Sequence, residues 1–510
     1  MLKFGNTFVN FGGTYLSRWR GNPNPLNLPS GTIRLRYKDN VTPSFSKGTA
    51  VQLSQSPNIW DLTYDSWNWR ELLKNHTDLI EVLGANATNV KNAVSMFEGC
   101  TSLTNVALFD TSNVTEMTTM FKYCSSLIEV PWFDMSKNTS INGTFWGCSS
   151  LTEIPLFDTS KTSIFYNTFR GCTSLRNIPM LDTSNVTNMD YAFAGCNSLT
   201  TIPALDTSKV TSFKWAFGMC ESLKTIPLLE TSSATNMSRM FDGCSSLTTI
   251  PLIDTSNVGN MEGMFNDCTS LISVPLLNTH NVSIMRYMFY NCEKIETIPL
   301  FDTSNVTDMI EMFNGCKSLT TIPSFNTPKL TNIRSLFVGC LSLNEVPLFD
   351  TSKTNNMESL FEGCSSLLSI PLFDTHNVSS MSRMFRDCIS LTSIPLLNTS
   401  AVKSTQNMFY NCSSLNSLPL LDTSNVTNMT NMCIFCSNLN EVPTFNTNKV
   451  SAMGYAFAYC DNVSAGALAL YQQASTQTTP PISHGKAFRD CGVSSQTGSA
   501  ELAQIPSDWK

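Results

Sequence analysis

Cysteine is the most reactive residue type in this sequence, and it returns with a fixed period. Cys100, Cys124, Cys148, Cys172, Cys196 and their successors to Cys460 stand 24 residues apart, sixteen of the eighteen cysteines in the chain. Such a set could form disulfides, a thiolate metal site or a packed column. Equivalent residues of stacked coils lie about 4.8 Å apart. At that spacing the Cα atoms suit a disulfide, but the Cβ atoms are a little too far apart and the side chains run parallel. The expectation is a column of buried, reduced thiols acting as small apolar side chains. Cys433 and Cys436 form a C-x-x-C, but Cys433 takes a place that other repeats give to Phe, and a zinc site would need two more ligands.

The remaining titratable residues build no reaction centre. His280 and His376 replace Ser in a turn, His76 takes a cysteine place, and His484 lies in a C-terminal loop. Asp110, Asp134, Asp158, Asp182 and others recur once per repeat, interrupted by Asn278, Asn326, Asn398 and Asn446. One carboxylate per repeat falls short of the six to eight oxygens calcium takes, so turn capping is the expectation. No GxSxG, P-loop or HExxH pattern occurs, and the reading is non-enzymatic, with no cofactor and no metal. The aromatic residues at variable positions hold more promise. Tyr166 stands 18 residues after its cysteine, Tyr191, Trp215, Tyr287 and Tyr455 stand 19 after, and Trp146, Tyr290 and Tyr410 stand 22 after. Exposed rings on a rigid scaffold suit glycan stacking or protein hot spots, although ordinary surface packing would use them too.

These residues are positioned by the unit FDTSNVTNMxxMFxGCxSLTxIPL. Counted from each cysteine, Leu falls at +3, Ile or Val at +6, Pro at +7, Phe, Leu or Ile at +9 and Asp, Asn or Glu at +10. Val is commonest at +14 and Met at +17 and +20, and Phe stands at +21. A period of this length marks a solenoid of stacked coils. L-x-x-I-P-L reads as a short strand that turns +3, +6 and +8 inward, with Pro at its exit. Asp-Thr-Ser reads as a turn. The returning side, stepping by about three from +14 to +21, could be a second strand or a tight helical turn.

Outside the repeat, 1–21 reads as an attachment hairpin, with Phe4 and Phe8-Val9 around Gly5-Asn6 and then a Gly12-Gly13 turn. Residues 22–31 read as a Pro- and Asn-rich linker, and 32–75 as a β-rich cap with strands at 32–37 and 49–53. Trp60, Trp67 and Trp69 would form a lid over the first coil. The solenoid occupies 76–461. A C-terminal cap, 462–510, has a helix at 465–473 and a late return of the pattern at Ala487-Phe488 and Cys491.

Charged residues are only 14% of the 510, with net charge −7 and no run of Lys or Arg. Nucleic acid and anionic membrane both need a basic footprint, so neither is expected as a partner. No stretch approaches a transmembrane span, and MLKFGNTFVNFGGTYLSRW has no apolar run of signal-peptide length, so export by the usual route is not expected.

The repeat resembles the BspA-type leucine-rich repeats of bacterial surface proteins, in the DTSNVTNM…MF…C…SL variety, over about 76–461. The resemblance implies a β-rich leucine-rich-repeat solenoid of 24-residue coils with a cap at each end, mixed α/β remaining open. It also implies an adhesin and not an enzyme. The sequence departs from the common leucine-rich repeat in lacking an Asn ladder after the strand. The opening MLKFGNTFVNFGG and closing AQIPSDWK resemble the ends of repeat-bearing tail or fibre proteins of phages that infect gut bacteria. Together these imply a virion protein that binds a bacterial surface glycan or protein through the solenoid face and other virion proteins through its N-terminal segment. One alternative is a bacterial cell-surface adhesin for a host protein; another is a structural virion decoration without a ligand. Homo-oligomerisation stays open.

Overall fold

The computed structural model describes residues 26–510 and, before them, the backbone of β1 (Leu2–Phe4) and β2 (Thr7–Val9), which pair antiparallel. The Gly12-Gly13 turn and the start of the linker lie outside the described residues. The chain divides into two compact units: Met1–Asn236 with Gly243–Leu247, and Met237–Asp242 with Thr248–Lys510. Each contains a stack of 24-residue coils.

The first unit opens with a sheet of β3 (Thr32–Tyr37), β4 (Thr49–Gln55), β5 (Asn58–Thr63), β6 (Leu79–Ala85) and β7 (Asn105–Val106), in the order β4-β5-β3-β6-β7. Alternation in β3 buries Ile33, Leu35 and Tyr37. β6 belongs to the first coil. It pairs antiparallel with β3 and parallel with β7 of the next coil, so the cap is hydrogen-bonded onto the edge of the stack. Trp69 is fully buried there, whereas Trp67 is 59% exposed and forms no part of a lid.

Within a coil the buried positions are Leu at +3, Ile at +6, a large apolar residue at +9, Thr at +11, Val at +14, Met at +17 and Phe at +21. From +3 to +9 the inward step is three residues, not the two of a strand, and no strand forms there in most coils. A step of three with Pro at +7 fits a polyproline-like path. This overturns the inward placement of +8: Leu348, Leu372 and Leu420 are 57%, 61% and 64% exposed. The returning side is neither strand nor helix but a run of overlapping turns. Ala192, Ala194 and Cys196 each donate an N–H three residues back, to Met189, Tyr191 and Phe193 O. Between them, Met189, Tyr191, Phe193 and Gly195 donate to carbonyls of the next coil. Parallel pairing recurs as single bridges at +16, such as Ser140–Ile164–Asn188–Ser212 in the first unit and Asn260–Ile284–Asp308–Asn332 in the second.

Side-chain columns hold the coils together. In the first unit Phe97, Phe121, Phe145, Phe169, Phe193 and Phe217 stack with centroids 5.2–5.8 Å apart and planes within 10°. Phe241 to Phe409 do the same in the second at 5.5–5.9 Å. The buried Thr at +11 donates its hydroxyl to the +10 carbonyl of the next coil, as Thr159 does to Asp182 O (2.8 Å) and Thr303 to Asn326 O (2.7 Å). On the outside Asn at +13 donates back one coil, Asn185 Nδ2 to Ser160 O at 2.8 Å.

The second unit ends in α1 (Ala467–Thr476) and α2 (Gln496–Gln504). Phe488 lies 6.2 Å from Phe457, and Trp509 lies over Phe488 and His484, which covers the last ring of the column.

Candidate binding site

All eighteen cysteines are free and buried. The sixteen of the column are more than small apolar groups, because each thiol donates to a carbonyl 27 residues earlier. Cys172 Sγ reaches Phe145 O at 3.1 Å in the first unit, and Cys316 Sγ reaches Phe289 O at 3.1 Å in the second. Burial pushes Cys100 and Cys220 up to about 12, a state in which a thiol is neither a nucleophile nor a metal ligand. The +10 carboxylates cap the turn that follows: Asp302 Oδ1 accepts from the Ser304 hydroxyl and N–H, and His280 adds a third bond. Those bonds, Ser304 first, hold Asp302 down at about 2. Among the described residues no group of three or more His, Cys, Asp or Glu could hold a metal, and no helix is long and apolar enough to cross a membrane.

The aromatic candidates gather into separate groups along the turn face of the coils. In the first unit Trp146, Tyr166, Tyr191 and Trp215 come together with two cations. Lys122 Nζ sits 4.5 Å from the Trp146 ring, and the Arg170 guanidinium lies 5.1 Å from Trp146 and 4.8 Å from Tyr191. Tyr191 stacks on Trp215 at 6.2 Å and 10°, and Tyr166 meets Tyr191 edge-on at 6.0 Å. From Lys122 to Tyr191 cations and rings therefore alternate up successive coils, each cation on a ring face where the quadrupole attracts it. Beside them is a recess of about 450 Å³ lined by Trp146, Arg170, Gly171, Tyr191, Ala194, Gly195, Trp215 and Met219, but not by Tyr166 or Lys122.

Local sequence explains the shape of this recess. Its floor is backbone, because +23 is Gly at 147, 171 and 195, and successive glycines approach within 3.4–3.7 Å of where a Cβ would sit. Gly218 gives room for the Trp215 ring: a Cβ there would stand 2.3 Å from Trp215 Cε3. Tyr191 and Trp215 occupy +19, where the backbone is left-handed (φ 57° and 56°) as it is in the other coils, two of which place Gly143 or Gly263 there and the rest residues such as Thr119, Arg239 and Glu311. A non-glycine residue in that region costs about 1–2 kcal/mol, a cost the repeat carries at +19 in most coils and not only under these rings.

In the second unit Tyr287 meets Tyr290 edge-on at 6.2 Å, with Arg239 5.9 Å from Tyr287. Tyr410 lies 5.0 Å from Arg386 and 5.8 Å from Phe435, and Tyr455 lies 5.7 Å from Lys486 Nζ. Of the eight aromatic residues singled out in the sequence, Tyr166 is exposed and the other seven are half-buried, so most offer a ring edge or one face, not a whole ring. Sequence reasoning missed Lys122 and Arg170, and also Tyr123, Phe435 and Tyr459 at +23. Phe435 and Tyr459 stack at 4.9 Å. For Tyr123, Phe435 and Tyr459, an aromatic residue where half of the coils carry Gly was the available signal.

The solenoid is a leucine-rich-repeat fold. Among solved structures it is similar to a leucine-rich-repeat protein of Eubacterium ventriosum at 20% identity, over 63% of this chain and 85% of that one, with a TM-score of 0.35. A leucine-rich-repeat protein of T. pallidum is similar at 22% identity, over 40% and 72%, with a TM-score of 0.23. An internalin of Listeria monocytogenes is similar at 12% identity, over 67% and 86%, with a TM-score of 0.21. No curated protein matches. The family described as "Mycoplasma protein of unknown function, DUF285" matches residues 67–179, 163–275, 272–368, 342–433 and 416–478. These segments leave no gap between 67 and 478, and the chain belongs to this family of BspA-like repeat proteins.

Proposed function

We propose that this protein is a non-enzymatic recognition protein that binds a bacterial surface glycan through the aromatic groove of its first unit. One observation carries the reading: Trp146, Arg170, Tyr191 and Trp215 border an open recess with a floor of glycine backbone. Sugar rings present apolar C–H faces that stack on aromatic rings, and a floor without side chains lets a chain-like ligand lie close.

The finer reading is a phage virion component, attached through its N-terminal segment to other virion proteins. It is supported by the resemblance of both chain ends to repeat-bearing phage proteins, and the β1–β2 hairpin is the natural attachment element. Full-length labelled protein, mixed with a panel of gut bacteria, should bind a few strains saturably, and stripping surface polysaccharide should abolish this. Excess unlabelled protein should block phage infection of those strains. Binding that survives removal of polysaccharide would refute the glycan reading, and binding without any block of infection would refute the virion one.

A further inference from the structure

The groove carries a cation without an ionic partner among the described residues, and on the glycan reading this narrows the ligand class. Four other arginines on the turn face of the coils are paired with acids, whereas Arg383 is exposed to solvent. Arg239 lies 2.7 Å from Asp242, Arg286 3.6 Å from Glu262, Arg334 3.3 Å from Glu311 and Arg386 3.3 Å from Glu362. Arg170 differs. Among the described residues its guanidinium has one polar partner, Asn167 Oδ1 at 3.3 Å, and otherwise lies between the faces of Trp146 and Tyr191. The neighbouring carboxylate, Asp190, is engaged elsewhere: it accepts from the Ser212 hydroxyl at 2.5 Å and the Lys214 N–H at 2.9 Å.

An arginine held between two rings has its planar fork fixed before any ligand arrives, so little rotamer freedom is lost when it binds an oxyanion. We propose that the groove takes an acidic saccharide, one bearing a carboxylate or a phosphate. Arg170 binds the oxyanion, and Trp146, Tyr191 and Trp215 serve as platforms for the sugar rings. Charge-assisted bidentate hydrogen bonds of this kind are about twice as strong as neutral ones. The partly open site leaves the interaction sensitive to salt.

The test is calorimetric titration of the full-length protein with matched pairs: oligogalacturonate against its carboxyl-reduced form, and a phosphorylated oligomannose against its dephosphorylated form. At low salt at least one acidic member should bind about tenfold or more tighter than its neutral twin. That gap should narrow as salt is raised, a measurement that needs no variant. Arg170→Gln should erase the gap while changing neutral binding by about fivefold or less, the worth of the lost cation–π contact. Arg170→Lys should keep part of it. Equal affinity for both members of each pair would overturn the inference and leave the glycan reading standing. No binding of any saccharide would remove both. A gap that persists in Arg170→Gln with an unchanged melting curve would move the anion site to another residue and so refute the assignment.

Discussion

Each column cysteine is held by a hydrogen bond to the backbone of an earlier coil, and burial sets its chemistry. The thiol fills a slot between coils and donates to the carbonyl 27 residues earlier, as Cys196 does to Phe169 O at 3.2 Å. Burial raises Cys100 and Cys220 from an ordinary value of about 9 to about 12. Their stabilising contribution is fully present below the unfolded thiol value and is lost as pH rises toward 12. Stability should therefore fall by about 1.4 kcal/mol per pH unit for each such thiol between those limits. Denaturant melts at successive pH values check the sign. In the native protein at pH near 8 an alkylating reagent should label none of the eighteen cysteines, and after denaturation it should label all of them. Early labelling would contradict the buried column. The column itself was readable from the 24-residue spacing; the carbonyl partner was not, because a contact 27 residues back has no local signature. The left-handed backbone at +19 had left a trace, since Gly143 and Gly263 share the register of Tyr191 and Trp215. Trp215→Gly should change stability by only about 1 kcal/mol, since relief of backbone strain offsets the lost stacking. A loss of several kcal/mol would make Trp215 a packing residue.

At the scale of the element, the coil is built from turns and single bridges more than from strands. Its inter-coil bonds include buried hydroxyls that sequence reasoning had assigned to local turns. Thr303→Val keeps shape and volume but leaves the Asn326 carbonyl without its hydroxyl donor. It should cost about 1–3 kcal/mol, read from chemical denaturation. The reason for the misreading is periodicity. L-x-x-I-P-L resembles a strand, but three-residue steps bury +3, +6 and +9 and turn the +8 leucines outward, as Leu372 shows. Turn geometry also sets the groove. Gly218→Ala places a methyl where the Trp215 ring lies. It should weaken ligand binding about tenfold or more with folding retained, because hot-spot rings act only in their seated position. Unchanged binding would show that the ring position is irrelevant.

At the scale of the molecule, both ends of the repeat are covered by non-repeat chain, and the two covers work differently. In the first unit a sheet extends the hydrogen-bond ladder through β3 and β6. In the second, Phe488 covers Phe457 and Trp509 covers Phe488. Repeat stacks need polar-faced ends to stay soluble. Removal of 462–510 should therefore expose Phe457 and Cys460 and produce concentration-dependent association in sedimentation experiments; a monodisperse truncation would show that the cap is dispensable. The repeat made the solenoid legible from the sequence alone, whereas the groove arises from side chains in four different coils that only stacking brings together. The central claim is that those side chains form a recognition site. The most direct measurement compares saturation binding of full-length protein and its Trp215→Gly variant on one bacterial strain bearing the receptor. The parent protein should bind saturably and the variant more weakly by about tenfold or more, with nearly equal melting temperatures. Equal binding by the two proteins would contradict it.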